Sequence, residues 1–295
     1  MMFSLLPNWI KAHQYPNLQF SDLSITEVEE LQSKLRLFVS DSPEVSIVIP
    51  AWNEENNIFR SLSSLAATNT TKKVEIIVIN NNSNDATQVV LDKLGVRSYF
   101  EPNQGISFAR QLGLAKAKGK YHLCADSDTL YPPSWIDLML APMINNKKVV
   151  GVYGRYSFMP LPNAGRLPLF IYETITGVLV RIRKNKREHL NVLGFNMGFV
   201  TAVGINNGGF EVNEVRKFDN AHGSEDFIDE AEDGRMALNL KKTGLLQLVT
   251  HPKARVFTSS RRLIAEGGIL TSFKNRFRLH STRLMEYFGG PKVDQ

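Results

Sequence analysis

Tyr121-His122-Leu123-Cys124-Ala125-Asp126-Ser127-Asp128 is an apolar run that ends in two carboxylates one residue apart. A short apolar run of this kind reads as a buried strand, which places the two carboxylates at the strand's carboxyl end. Working outward, the residues over 106–118 form an amphipathic stretch, preceded by a short strand near 96–100. Further upstream, helical stretches over 85–94 and 54–67 alternate with the strands Val74-Glu75-Ile76-Ile77-Val78-Ile79 and Val45-Ser46-Ile47-Val48-Ile49. Strand and helix in alternation predict an α/β fold with a mostly parallel sheet flanked by helices. Ligands of such sheets bind beyond the carboxyl ends of the strands. Those positions are Pro50-Ala51-Trp52-Asn53-Glu54-Glu55, Asn80-Asn81-Asn82-Ser83 and Asp126-Ser127-Asp128.

On either side the pattern changes. Residues 1–43 read as a helical appendage: Ser24-Ile25-Thr26-Glu27 opens a helix with Val28, Leu31, Leu35 and Phe38 at helical spacing, and Ser42-Pro43 ends it. In the second half, 151–162 is strand-like, and 167–180 is apolar and runs into the basic stretch 181–187. A helix over 233–243 stops at Gly244 before the strand Leu245-Leu246-Gln247-Leu248-Val249. Residues 261–295 form a basic extension with an amphipathic helix from about 269 to 288.

The chain has 295 residues, 43% of them apolar and 22% charged, which excludes disorder along its length. Its net charge of +6 suits an anionic partner and equally suits ordinary solubility. Cys124 is the only cysteine, so no internal disulfide exists, and its apolar neighbours predict a buried thiol. The start of the chain lacks a basic region ahead of its apolar stretch. No run reaches the roughly 18 apolar residues of a spanning helix. A cytoplasmic protein is the expectation. The six histidines form no metal-spaced cluster; His122 reads as a packed strand residue, and Trp135 as core.

Two carboxylates at a strand end can hold a hard divalent cation, which in turn bridges and neutralises a diphosphate. By spacing alone, Asp126-Ser127-Asp128 fits a solvated turn equally well.

More of the chain carries the argument further. VSIVIPAWNEENNI, VEIIVINNNSNDAT and NQGISFARQLGLAKAKGKYHLCADSDTLYPPSWI, then Gly208-Gly209-Phe210 and AEDGRMALNLKKTG, succeed one another in an order and spacing that resemble glycosyltransferase family 2. These are inverting enzymes with the GT-A fold. The resemblance implies a nucleotide-sugar-binding half over 44–130 and an acceptor and catalytic half over 131–260. It implies that Pro50, Ala51, Asn53 and Glu54 line the nucleotide pocket, with Arg110 facing base or phosphates. Asp126, Ser127 and Asp128 would hold ribose and a Mn²⁺ or Mg²⁺ ion, Asp128 ahead of Asp126 as direct ligand. Asp233 would be the general base and Glu232 would orient the acceptor. Glu225-Asp226 is a rival pair upstream, less favoured because only Glu232-Asp233 leads into the family-like helix and glycine.

The sequence also departs from the family. Asn80 and Asn81 stand where many members carry an Asp pair that meets the base, which leaves UDP only weakly ahead of GDP. Thr258 stands where many carry a histidine, and Arg261 and Arg262 become candidates to clamp the diphosphate, or else part of a solvated basic loop. The implied partners are a nucleotide-sugar donor and a glycan or lipid-linked acceptor, and no nucleic acid; the basic run 181–187 reads first as a solvated face and second as a contact with an anionic membrane surface. A sugar-phosphate nucleotidyltransferase would need a glycine-rich loop with arginine after the first strand, which Pro50-Ala51-Trp52-Asn53-Glu54 is not. A relative that binds nucleotide sugar or glycan without catalysis is the remaining alternative.

Overall fold

The computed structural model describes residues 6–160, 166–184, 187–210 and 232–265 together with 268, 271 and 274, the side chains of 262 and 265 excepted. Its strands are β1 (Val45–Ala51), β2 (Val74–Asn80), β3 (Ser98–Phe100), β4 (Tyr121–Cys124), β5 (Thr129–Leu130), β6 (Val149–Gly154), β7 (Tyr156–Phe158), β8 (Met197–Val200), β9 (Leu245–Val249) and β10 (Val256–Thr258). Its helices are α1 (Lys11–Gln14), α2 (Ile25–Leu35), α3 (Ile58–Ala66), α4 (Thr87–Leu94), α5 (Ile106–Lys116), α6 (Trp135–Asn145), α7 (Leu167–Arg183), α8 (Thr201–Asn206), α9 (Glu232–Lys241) and α10 (Arg261–Ala265).

The main sheet has the order β3-β2-β1-β4-β8-β6-β9. β1 runs parallel to β2, with Val45 opposite Val74 and Ala51 opposite Asn80, and parallel to β4, with Val45 opposite Tyr121. Both β1 and β2 are buried along their whole length. That is why they read as nearly unbroken apolar runs: helices cover both faces and leave no polar face to write.

Alternate residues feed two layers. Ile47 and Ile49 share a core with Phe59 and Leu62 of α3 and with Trp135 and Met139 of α6, and the capped helix α2 adds Leu31 and Leu35 to it. Val48 points the other way, with Ile77, Ile79 and Ala109 of α5. Helix α5 lies close because Gly113 faces the sheet; a Cβ there would meet Val48 Cγ1 at 2.2 Å. Each fully buried aliphatic side chain in these layers contributes roughly 1.5–3 kcal/mol.

The sheet is mostly parallel, as the alternation predicts, with one antiparallel strand whose place the alternation does not give. β8 runs antiparallel to both β4 and β6. It enters between two strands that are distant in sequence, a pairing that no local pattern announces. A second, small sheet, β5-β10-β7, stands at the carboxyl end of β4. The helix expected over 54–67 starts only at Ile58, because the residues before it form a turn, with the Asn57 amide donating to the Glu54 carbonyl at 2.9 Å. The helix expected over 233–243 spans Glu232–Lys241. The apolar segment over 167–180 is helical to Arg183. Glu225-Asp226, the middle of the basic run at 185–186, the Arg262 side chain and nearly all of the C-terminal extension lie outside the described residues. Among the described residues no helix is long and apolar enough to cross a membrane.

Candidate active site

Two loops at the carboxyl edge are laced together by hydrogen bonds before any ligand is considered. Asn53, at φ +53°, donates its amide to Ser83 Oγ at 3.0 Å and accepts from the Asn84 amide at 2.9 Å. The Glu54 amide donates to Thr87 Oγ1 at 2.8 Å and the Glu55 amide to Asp85 Oδ2 at 3.2 Å. This lacing fixes where the Glu54 carboxylate points. Pro50 and Ala51 close β1 beneath it, opposite Ile79 and Asn80.

Asn80 and Asn81 are both buried, and their amides are used inside the protein. Asn80 donates to Gln88 Oε1 at 2.9 Å and accepts from the Ser83 amide at 3.0 Å. Asn81 donates to the carbonyls of Glu101 and Asn103 and accepts from the Gly105 amide at 2.8 Å. It ties the loop ahead of α5 to the end of β2, a task that needs a donor and an acceptor in one side chain. An aspartate has only acceptors to offer there.

The turn after β4 is held by its backbone, which frees its carboxylates. The Asp126 amide donates to Tyr131 Oη at 2.8 Å, and its carbonyl accepts from Ser61 Oγ at 3.0 Å. The Asp128 carbonyl accepts from the Ser259 amide at 3.2 Å, and Ser127 is buried between them in the chain. Thr258 is the last residue of β10, and its hydroxyl meets that of Thr129 at 2.9 Å, so the strand end lies against the carboxylate turn. Beyond the strand, at the start of α10, Arg261 Nη2 reaches Glu54 Oε1 at 2.6 Å and Asp128 Oδ2 at 3.0 Å. A guanidinium thus bridges carboxylates from two loops of the sheet edge. Burial raises the pKa of Glu54, and Arg261 opposes that rise.

Below this pair lies a second charge cluster. Arg110 of α5 is only 2% exposed, and its Nη2 meets Asp126 Oδ1 at 2.8 Å while its Nε lies 3.4 Å from Glu232 Oε1. Its Nη1 is buried with no hydrogen-bond partner among the described residues. Asp233, beside Glu232 at the start of α9, accepts from the Gly194 amide at 2.9 Å and the Gly234 amide at 2.7 Å. Removal from water lifts the Asp233 carboxyl to about 7, with the charge of Glu232 adding to the rise. The same cause lifts Asp126 to about 6, against the pull of Arg110 and with Asp128 adding. A carboxylate poised near neutrality is the form in which a side chain takes up a proton at physiological pH.

Among the described residues no three His, Cys, Asp or Glu side chains gather as a ready metal cage. One partly exposed carboxylate, that of Asp128, suits an ion such as Mg²⁺, which keeps waters and takes its remaining ligands from substrate phosphates. The Arg261 guanidinium on Asp128 Oδ2 shows that a positive group is favoured at that oxygen. The donor set therefore fits a divalent cation completed by a diphosphate.

The structure brings Glu54, Asp126, Asp128, Arg110, Glu232, Asp233 and Arg261 to one edge, while Asn80 and Asn81 support it from within. Sequence reading did not single out Tyr131 or Ser61, which hold the Asp126 backbone, or Gly194, whose amide holds the Asp233 carboxylate. Only Tyr131, five residues past Asp126, lay close enough in sequence to draw notice. His122 stacks on Phe199 with ring centroids 4.7 Å apart, and Cys124 is buried, as expected of packed strand residues. Trp135 is core, its indole N–H donating to Asn196 Oδ1 at 2.9 Å.

Comparison with known proteins points the same way. The sequence profile described as glycosyl transferase family 2 matches residues 46–203, more than half of the chain. An uncharacterised glycosyltransferase of Rickettsia typhi is 33% identical over 122 residues, which is 40% of this chain and 38% of the relative. Chondroitin synthase of Pasteurella multocida is 36% identical over 116 residues, 38% of this chain and 12% of that protein. The chain thus matches under two fifths of the length of either relative. Among solved structures, S. aureus TarS in complex with UDP superposes with a TM-score of 0.53 at 16% identity, covering 73% of this chain and 60% of that one. Glucosyl-3-phosphoglycerate synthase of Mycobacterium tuberculosis, in complex with Mn²⁺, UDP-glucose and phosphoglyceric acid, gives 0.50 at 19%, covering 90% and 85%. At these identities the likeness is one of fold.

Proposed function

Because the chain belongs to glycosyl transferase family 2 and has the GT-A fold, we propose that it transfers a sugar from a nucleotide diphosphate sugar to an acceptor hydroxyl with inversion. A UDP-sugar is favoured as donor, since TarS and glucosyl-3-phosphoglycerate synthase, of the same fold, were solved with UDP or UDP-glucose. The observation that carries the reading is the sheet edge itself: Asp126 and Asp128 stand between a loop-borne Glu54 and a half-exposed Arg261 on one side and the Arg110–Glu232–Asp233 cluster on the other. On this reading Asp128 is the cation-binding carboxylate and Asp233 the proton acceptor, with Asp126 and Arg110 linking the two parts of the edge.

Asp128 would hold a Mn²⁺ or Mg²⁺ ion, whose chemistry is to neutralise the departing diphosphate. Arg261 would turn from the carboxylates to the diphosphate oxygens when donor arrives, because guanidinium and phosphate match in charge and geometry. Asp233 accepts the proton of the acceptor hydroxyl as that oxygen bonds to the anomeric carbon. The bond from the same carbon to the diphosphate oxygen breaks, and its electron pair leaves with the nucleotide. One displacement inverts the centre and needs no enzyme nucleophile. Arg110 holds Asp126 and Glu232 in place through the step.

The test is release of nucleoside diphosphate from a panel of UDP-, GDP- and dTDP-sugars with Mn²⁺ or Mg²⁺, alone and with a glycan and lipid-linked acceptor library. One donor should be consumed in a metal-dependent way, and Asp233→Asn should abolish acceptor-dependent turnover while leaving donor binding intact. Donor binding without turnover across the whole library would favour a non-catalytic relative instead.

A further inference from the structure

Helix α7 is apolar over most of its circumference, yet among the described residues a row of its apolar side chains stays exposed. The inner side sets Leu169 and Tyr172 against Phe158 and Leu263. The outer side leaves Leu167, Ile171, Ile175 and Val178 exposed by 63%, 53%, 38% and 50%. Steps of four, four and three residues align these four in one stripe, roughly 17 Å long at a helical rise of 1.5 Å per residue. A helix that is apolar on every side is ordinarily covered on every side, so this stripe calls for a further apolar layer.

Three features say what that layer is. The one acid of the helix, Glu173, is turned inward: it accepts from Arg166 and from Ser157 Oγ at 2.9 Å each and from the Phe158 amide at 2.9 Å. The outer side therefore carries no negative charge from this helix. Thr174, exposed next to the stripe, donates its hydroxyl to the Phe170 carbonyl at 2.8 Å, so that O–H loses little when water leaves. At its C-terminal end the stripe runs into Arg181 and Lys184, both exposed. An apolar ridge that ends in basic side chains matches the interface of an anionic bilayer, with alkyl groups below the headgroups and cations among them. The same helix in a second copy of the chain could cover the ridge, but its one acid is turned inward and would offer these cations no counter-charge.

We infer that α7 is a membrane-docking element: its outer side rests in the interfacial zone of an anionic bilayer, with Arg181 and Lys184 on the lipid headgroups. The contact is peripheral, since no described helix is long and apolar enough to span. The inner side of α7 packs on β7, whose neighbour β10 leads to Arg261, so docking holds the carboxylate edge beside the bilayer surface. That the acceptor is lipid-borne follows only if the sugar-transfer reading also holds; the docking itself does not depend on it.

The experiment is co-sedimentation of the full chain with phosphatidylcholine vesicles with and without phosphatidylglycerol, which needs no catalysis. The wild type should bind the anionic vesicles, and Arg181→Gln with Lys184→Gln should lower the partition coefficient roughly tenfold or more. Ile171→Glu with Ile175→Glu should abolish binding, and the milder Ile171→Ser with Ile175→Ser should leave an intermediate value. All four positions are exposed, so far-UV circular dichroism should match the wild type. Because Cys124 is the only cysteine and is buried, a dye on Ile175→Cys reports the stripe alone and should shift to shorter wavelength on anionic vesicles. Equal partition on neutral and anionic vesicles, or unchanged binding of the double Glu variant, would overturn the inference. So would a wild type that dimerises without lipid and becomes monomeric in that variant.

Discussion

Replacing Arg261 by glutamine separates its observed contact with the carboxylates from the diphosphate contact proposed for it. Its Nη2 holds Glu54 Oε1 at 2.6 Å and Asp128 Oδ2 at 3.0 Å, and half of the side chain is exposed. Solvent screens both pairs, so each is worth about 0.5–1 kcal/mol. Glu54 is the more sensitive partner, being 12% exposed against 23% for Asp128. On the proposed function, a cation arriving at Asp128 displaces the guanidinium. Removing that competitor returns about 1 kcal/mol to metal binding, so Arg261→Gln should bind Mn²⁺ in the absence of nucleotide about fivefold more tightly. Nucleotide behaves oppositely: a charged hydrogen bond to the diphosphate is worth about 1.5–3 kcal/mol, so UDP at saturating Mn²⁺ should bind more than tenfold less tightly. Free Mn²⁺ is read by electron paramagnetic resonance and UDP by calorimetry. Unchanged or weaker Mn²⁺ affinity would show that Arg261 does not compete for Asp128, and unchanged UDP affinity that it does not meet the diphosphate.

Gly194→Ala should be severe although it adds one methyl group: its Cβ would meet Arg110 Nη2 at 2.4 Å and Cζ at 2.6 Å, pushing the guanidinium off Asp126 and Glu232. A loss of about 3–5 kcal/mol is expected in urea unfolding, the scale for breaking a buried ion pair. Asn81→Asp turns a donor into an acceptor facing the carbonyls of Glu101 and Asn103, and should cost about 2 kcal/mol in the same assay. With Asp233 as the proposed general base, kcat/KM should fall tenfold per pH unit below about 7 and level off above it. The same group sets a sign for stability. Its folded pKa of about 7 lies above the ordinary 3.8, so the folded state holds the proton more tightly, and stability falls as pH rises through that window. Asp233→Asn, which cannot ionise, should therefore compare more favourably with wild type at pH 8 than at pH 5.

The parallel half of the fold is readable because burial on both faces leaves an imprint: β1 and β2 are buried throughout and nearly unbroken in apolar residues, and the helices that follow them keep helical periodicity. The antiparallel entry of β8 is not, since its partners β4 and β6 are chosen by long-range packing rather than by any local signal. At the site, Asp126 and Asp128 announce themselves by their place after an apolar strand. The bridge from Arg261 to Glu54 spans 207 residues, and only the small sheet of β5, β10 and β7 brings the two together. The place of Asn80 and Asn81 after β2 suggests that they face a ligand, yet their amides close internal loops; position on a strand does not reveal which polar atoms a neighbouring loop will claim. Arg110 is expected to face base or phosphates, and its depth beneath Asp126 becomes visible only with Glu232 packed against its Nε.

On the proposed function the Asp126-Ser127-Asp128 turn is a cation-assisted diphosphate site. Calorimetric titration of UDP tests it most directly, using wild type and Asp128→Asn, each with Mn²⁺ and with EDTA. Metal-dependent binding by the wild type, lost in Asp128→Asn while the fold persists by circular dichroism, is the result predicted. UDP binding that is indifferent to EDTA, or that survives in Asp128→Asn, would contradict it.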